Sequence, residues 1–171
     1  WNGNQWDAVT AQNVTFTNTF TGEATATLGV SKSISGRNWK DGEEFTFTLT
    51  AQDGTPMPTG NGATATATQD KPAPDFGTIT YTKVGTYTYT ISEEDTAASG
   101  MTKAKDVTAT VKVALNAESN QLEATVAYSN TDAENGKAKF VNTSNAQPYT
   151  VVAKDLFQVK KELDGRDWND T

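Results

Sequence analysis

The sequence contains no cysteine and no histidine. Without cysteine the chain can form neither disulfides nor thiolate metal sites, and without histidine it lacks the most common general base and metal ligand of proteins. These two absences exclude most hydrolase triads and zinc sites, and we expect no metal and no cofactor. The acidic segment from Asp164 to Asp170 does not match an EF-hand, so its charges are expected to be solvated.

Basic residues and long apolar runs are also scarce. Asp and Glu outnumber Lys and Arg by 21 to 14 among 171 residues, which leaves a net charge of −7. Such a surface repels polyanions, so we expect no binding of nucleic acid. No apolar run approaches the ~20 residues that a membrane helix needs. We therefore expect no membrane insertion by this sequence.

Threonine and alternating aromatic residues dominate what is present. The chain has 30 threonines, many of them in runs such as TFTFTLT and TYTYTI, against only 5 prolines. β-Branched threonine favours strands, and no helical periodicity is sustained over three turns. Polar turns separate short stretches of period-2 alternation. We therefore predict an all-β fold, specifically an antiparallel immunoglobulin-like β-sandwich.

Alternation within each predicted strand identifies the side chains that face the core. The inward set comprises Leu28, Val30, Ile34, Phe45, Phe47, Leu49, Ala63, Ala65, Ala67, Ile79, Tyr81, Tyr87, Tyr89, Ile91, Val107, Ala109, Val111, Val113, Leu122, Ala124, Val126, Tyr128 and Phe140. Three polar residues, Lys32, Glu93 and Asn142, fall on the same faces, whereas Glu94 points to the wet side. Each of the three alone has a simpler explanation as a strand-edge group that reaches water. If they are buried, they need partners, because an unpaired buried charge or amide costs several kcal/mol.

An internal repeat singles out two of these positions. The segment VSKSISGRNW recurs as VKKELDGRDW, which places Lys161 129 residues after Lys32. The segment FTNT likewise recurs as FVNT, so that Asn18 corresponds to Asn142 at an offset of 124 residues. A lysine on the apolar face of the first strand and an asparagine on that of the last strand are therefore repeated features.

The repeat has the length of one domain and predicts three parts of the chain. Residues 1–22 are expected to hold the last strand or strands of a preceding module. Residues 23–148 are expected to form a complete module, and residues 149–171 to begin the following one.

A lysine, a carboxylic acid and an asparagine that converge in an apolar core can react without a cofactor. Burial lowers the pKa of an amine and raises that of a carboxyl group, so the amine becomes nucleophilic and the acid can polarise the asparagine carbonyl. Attack by the amine releases ammonia and leaves an amide. Rigid proximity of this kind can be worth effective molarities on the order of 10⁵–10⁸ M.

Turnover of an external substrate is not expected. Glu93 and Glu94 are adjacent on one predicted strand and point to opposite faces, so they cannot flank one bond as the carboxylates of a glycosidase must. Any reaction of the buried residues would be a single, intramolecular event.

Five segments of the sequence together resemble a known family. These segments, VSKSISGRNW, DGEEFTFTLTA, GTYTYTISEE, VTATVKVALNAESNQLEATVAY and KFVNTS, resemble the isopeptide-containing domains of Gram-positive surface proteins, of the streptococcal pilin isopeptide linkage type. The resemblance covers roughly residues 25–146. It implies that Lys32 is the amine, Asn142 the acceptor amide and Glu93 the catalytic acid of an intramolecular isopeptide bond. Asn18 and Lys161 are then the equivalent positions of the neighbouring modules, and no glutamate partner for either lies inside this chain.

The resemblance also implies a role and a location. Members of the family serve as pilus shafts and adhesin stalks, so we expect a covalently braced structural module that is extracellular, at the cell surface, and anchored to the cell wall through a region outside this sequence. The expected partners are adjacent repeat modules of the same polypeptide, with a host or matrix ligand bound through another domain. Neither a wall-sorting motif nor a pilin-polymerising lysine motif is evident, which favours an adhesin stalk over a pilus backbone subunit.

A carbohydrate- or host-ligand-binding adhesin module is the alternative function. Surface tryptophan and tyrosine side chains can stack on sugars, and the tryptophans available are Trp1, Trp6, Trp39 and Trp168. Trp39 and Trp168 occupy equivalent repeat positions just after Gly-Arg, which favours a packing role for both. Trp1 and Trp6 have no such explanation.

Overall fold

The computed structural model describes residues 21–60, 62–94, 100–132 and 135–145, together with the isolated positions 3 and 15. Ten strands lie in this range: β1 (Ala24–Ser35), β2 (Glu44–Ala51), β3 (Thr64–Thr68), β4 (Asp75–Tyr81), β5 (Gly85–Glu93), β6 (Met101–Thr102), β7 (Val107–Asn116), β8 (Gln121–Tyr128), β9 (Thr131–Asp132) and β10 (Lys137–Ser144). Within these ranges no residue is helical, and a helix able to span a membrane is therefore not found there.

The strands form two facing sheets. One sheet has the order β4-β1-β10-β6, with β9 also paired to β10, and the other has the order β3-β2-β5-β7-β8. The rings of Phe47 on β2 and Phe140 on β10 meet edge to face with centroids 4.8 Å apart, which joins the two sheets through the core. The predicted fold class, an all-β immunoglobulin-like sandwich, is confirmed.

The first and last strands of the sandwich lie side by side and run parallel. In their register Lys32 pairs with Phe140 and Ile34 pairs with Asn142. A parallel pair needs a long connection, and here the other eight strands lie between the two. The remaining pairs of described strands are antiparallel. Because β1 and β10 run in the same direction, the chain enters the sandwich at one end and leaves it at the other.

Strand β1 changes its pairing partner at Gly29. Residues Ala24–Thr27 pair with β4, and residues Val30–Ser35 pair with β10. A Cβ atom at position 29 would lie 2.3 Å from Asp75 Oδ1 and 3.0 Å from the backbone oxygen of Pro74, so a larger residue would require these neighbours to shift. The change of partner brings the second half of β1, which carries Lys32, alongside β10.

The core follows the predicted inward faces with two departures. Most of the predicted set is buried, and Ile34, Tyr87, Ala124 and Tyr128 are half-buried against it. Val126 is exposed, because it lies on β8 at the edge of its sheet. Ala63 is exposed and precedes the first residue of β3. Alternation predicts which face a side chain occupies, but it does not predict whether another layer covers that face.

Candidate functional site

The three polar residues on the inward faces meet at one point in the core. Lys32 lies on β1, and Asn142 lies on the adjacent β10, two residues further along the parallel register. Glu93 is the last residue of β5 in the facing sheet. Lys32, Glu93 and Asn142 are 3%, 2% and 0% exposed, respectively. The two sheets thus bring one amine, one carboxylate and one amide together away from water.

The Glu93 carboxylate bridges the other two side chains. Lys32 Nζ donates a hydrogen bond to Oε2 at 2.9 Å, and Asn142 Nδ2 donates one to Oε1 at 2.5 Å. Charge-assisted hydrogen bonds are stronger than neutral ones, and they offset part of the cost of burying the two charges. Each carboxylate oxygen holds one of the two nitrogens, so Glu93 connects the amine and the amide through two hydrogen bonds.

One aromatic ring packs against the lysine. Lys32 Nζ lies 4.4 Å from the centroid of the Phe45 ring, which places the ammonium against the negative face of that ring. Phe45 packs in turn edge to face against Trp39, with centroids 5.1 Å apart. Trp39 is half-buried and therefore packs beside the site, as its position in the repeat predicts.

Burial lowers the pKa of the Lys32 amine. Desolvation is the largest cause, and it outweighs the hydrogen bond and charge of Glu93 and the charge of Glu43, which act in the opposite direction. A lower pKa increases the fraction of Lys32 that is neutral at a given pH. Only the neutral amine has a free lone pair, so the burial of Lys32 favours its reaction as a nucleophile.

Two residues of the segment that follows β6 complete the site. The backbone N–H of Ala104 donates to Asn142 Oδ1 at 2.9 Å, and Lys103 Nζ donates to the backbone oxygen of Glu93 at 2.5 Å. We expected the acid to contact the asparagine carbonyl, but here the carboxylate accepts from the amide nitrogen and the carbonyl oxygen faces Ala104. An ionised carboxylate has no hydrogen to donate, so it pairs with the NH₂ group of the amide.

A charged pair organises the connection between β1 and β2. Arg37 belongs to the repeated Gly-Arg dipeptide, and its guanidinium forms a two-pronged pair with Glu43, in which the Nη1–Oε2 distance is 2.8 Å. The pair lowers the pKa of the Glu43 carboxyl. The sequence marks Arg37 through the repeat, whereas Glu43 occurs only within the segment DGEEFTFTLTA, with no role assigned to it. The pair holds the turn that leads from the strand of Lys32 to that of Phe45.

The other predicted positions are distributed as follows. Glu94 is exposed, opposite in orientation to Glu93, as alternation predicts. Asn18, Lys161, Trp1, Trp6 and Trp168 lie outside the described residues, as do most of the two predicted flanking parts of the chain. In the described part of the chain no group of three or more acidic side chains is arranged to hold a metal ion.

Comparison with known proteins places these residues in a family context. Residues 28–145 match the family model of the Spy0128-like isopeptide containing domain (FctA). No curated protein sequence matches the chain. Similar solved structures include the major pilin protein (T-13) from Streptococcus pyogenes, with 18% identity, a TM-score of 0.45, and coverage of 73% of this chain and 54% of the pilin. Another is the major pilin from Streptococcus pyogenes, with 18% identity, a TM-score of 0.40, and coverage of 70% and 50%.

The extent of these matches differs. The chain spans about half the length of the two pilin structures. The family model, by contrast, matches well over half of the chain, from the middle of β1 to the residue after β10. The matched range includes Lys32, Glu93 and Asn142. The family predicted from the sequence is confirmed: the chain belongs to the Spy0128-like isopeptide containing domains.

Proposed function

We propose that this chain is a structural module of a cell-surface pilus or adhesin stalk, braced by an isopeptide bond that forms between Lys32 and Asn142 with the help of Glu93. The observation that carries the proposal is the buried carboxylate of Glu93, which holds Lys32 Nζ at 2.9 Å and Asn142 Nδ2 at 2.5 Å on its two oxygens. Membership in a family named for its isopeptide bond supports the same reaction.

The reaction needs only the three side chains. A proton passes from Lys32 Nζ to Glu93 along their hydrogen bond, which leaves a neutral amine beside a carboxylic acid. The amine attacks Cγ of Asn142, the C–N bond to Nδ2 breaks, and the departing nitrogen takes up one proton and leaves as ammonia. Of the three protons on the lysine ammonium, one stays on the new amide, one leaves with ammonia and one remains on Glu93. The bond forms once, so the module modifies itself and does not turn over a substrate.

The position of the bond explains its mechanical use. It would join the first strand to the last, and these strands are parallel neighbours whose outer ends lie at opposite ends of the sandwich. Tension applied to the chain would run along β1 to Lys32, cross to Asn142 and continue along β10. The residues between 32 and 142, which include most of the core, would then carry little of the force.

The proposed partners and location follow from this role. A module loaded from end to end is linked to further modules of the same polypeptide, and the repeats around Asn18 and Lys161 are the sequence support for them. We place the module outside the cell, at the cell surface, with anchoring to the cell wall and contact with any host ligand through other regions.

The mass of the intact protein tests the proposal directly. We expect the purified chain to weigh less than its sequence by one ammonia, because one bond forms, between Lys32 and Asn142. Trypsin does not cleave after an acylated lysine, so digestion of the unfolded protein should yield the peptide 1–37 joined to the peptide 140–154. A mass equal to that of the full sequence, with both peptides separate, would contradict the proposal.

A further inference from the structure

The carbonyl oxygen of Asn142 has a partner that the proposed reaction has not yet used. Asn142 Oδ1 accepts a hydrogen bond from the backbone N–H of Ala104 at 2.9 Å, and Asn142 is completely buried. In the ground state this contact satisfies a buried amide oxygen. During attack on Cγ the same oxygen takes on a full negative charge, and it does so in a place from which water is excluded.

Resting on the proposed isopeptide reaction, we infer that the Ala104 N–H is the oxyanion donor of that reaction. The donor already lies 2.9 Å from Oδ1 in the ground state, and an effective oxyanion donor lies 2.7–3.1 Å from the place that this oxygen occupies once it is charged. The two oxygens of Glu93 face the attacking and the departing nitrogens, and the Ala104 N–H is the group that contacts Oδ1. The two groups therefore have separate roles in the reaction. Glu93 moves protons between the nitrogens, and the Ala104 N–H stabilises the negative charge on the oxygen.

Lys103 is the positioning residue for this donor. Its Nζ hydrogen bonds to the backbone oxygen of Glu93 at 2.5 Å, which ties the segment that carries Ala104 to the end of β5. The hydrogen bond from Lys103 therefore positions both Glu93 and the Ala104 N–H. This segment precedes β7 and belongs to no strand of its own, so its backbone N–H groups are not committed to a sheet.

The test replaces one backbone atom. Lactic acid at position 104 substitutes an ester oxygen for the N–H and leaves the methyl side chain unchanged. The full-length chain and its ester variant are assembled by ligation under denaturing conditions, so both start unlinked. After refolding, the loss of ammonia is followed by mass spectrometry. We expect the ester to slow the reaction by ~10²–10³-fold, the usual effect of deleting one oxyanion-hole donor.

The matched control is an ester at Leu49, whose N–H donates to the Ala63 oxygen at 2.8 Å within the sheets. It also loses one backbone hydrogen bond, and it should link at close to the parent rate. Equal rates for the parent and the Ala104 ester, with both folded by circular dichroism, would overturn the inference and leave the proposed function intact. A parent that never loses ammonia would instead overturn the proposed function, and this inference with it.

Variants of the Lys103 side chain test the same inference if the Ala104 ester does not refold. Lys103→Met removes the tether, and we expect the linkage to slow by about tenfold, one such factor corresponding to ~1.4 kcal/mol of barrier. Lys103→Arg retains a donor and should restore most of the rate. If Lys103→Met links as fast as the parent in a folded chain, the inference is wrong.

Discussion

An Asn142→Ala variant is expected to keep its full calculated mass and to lose ~4–5 kcal/mol of unfolding free energy through the missing bond. The bond would close a loop of about 110 residues, and loop-closure entropy for a cross-link of that span is worth this amount. The substitution also leaves the part-buried N–H of Ala104 without its acceptor, which adds at most ~1–3 kcal/mol. Guanidinium unfolding followed by circular dichroism measures the loss, and intact mass reports the bond.

Asn130→Ala is the matched control for this experiment. Asn130 is exposed, and its Nδ2 donates to the Lys139 oxygen at 2.9 Å, so the substitution removes one asparagine and one hydrogen bond without touching the core. We expect it to lose ammonia as the parent does and to change stability by less than ~1 kcal/mol. If Asn142→Ala still lost ammonia, the acceptor would be a different residue.

A Glu93→Gln variant is expected to fold into a similar sandwich and yet retain its full mass. Glutamine has nearly the same size as glutamate, but it offers one acceptor oxygen where Glu93 accepts from two nitrogens. It also cannot take a proton from the amine and return one to the departing nitrogen. Loss of general acid–base catalysis typically costs a factor of ~10²–10⁴ in rate. Circular dichroism checks the fold, and intact mass over days of incubation checks the bond.

Glu94→Gln is the control for Glu93→Gln. It makes the same chemical change one residue along the chain, at an exposed position on the opposite face, and should link normally. Comparison of Glu93→Gln with the parent also separates the bond from the side chains, since this variant keeps Lys32 and Asn142 in place. Linkage of Glu93→Gln at the parent rate would show that the carboxylate pairs with the two nitrogens without taking part in the reaction.

The two variants differ in what they reveal about stability. Asn142→Ala removes the bond together with a buried hydrogen-bond acceptor, whereas Glu93→Gln removes the bond and keeps an amide on Asn142. If the cross-link dominates the stability of the module, both should unfold at similar, much lower denaturant concentrations than the parent. A large difference between the unfolding midpoints of the two variants would instead show that the buried polar contacts themselves account for most of the lost stability.

Much of the site can be read from the sequence, because alternation along a strand is a local property. The period of two places Lys32, Glu93 and Asn142 on inward faces and Glu94 on an outward one, and all four orientations agree with the structure. The repeat that makes Lys161 equivalent to Lys32 and Asn18 equivalent to Asn142 is likewise visible in the sequence without coordinates. From these features follow the sandwich class and the three candidate residues, whereas the family came from the resemblance of five segments to known isopeptide-containing domains.

Which of these faces contact one another depends on the tertiary fold. Alternation is blind to strand order, so it did not predict that β1 and β10 are parallel neighbours or that Val126 lies uncovered on an edge strand. The contact between Ala104 and Asn142 had no sequence signal at all, because every residue except proline carries a backbone N–H. Side-chain chemistry and local periodicity can be read directly from the sequence. The hydrogen-bond partner of a backbone group depends instead on how distant segments of the chain pack together.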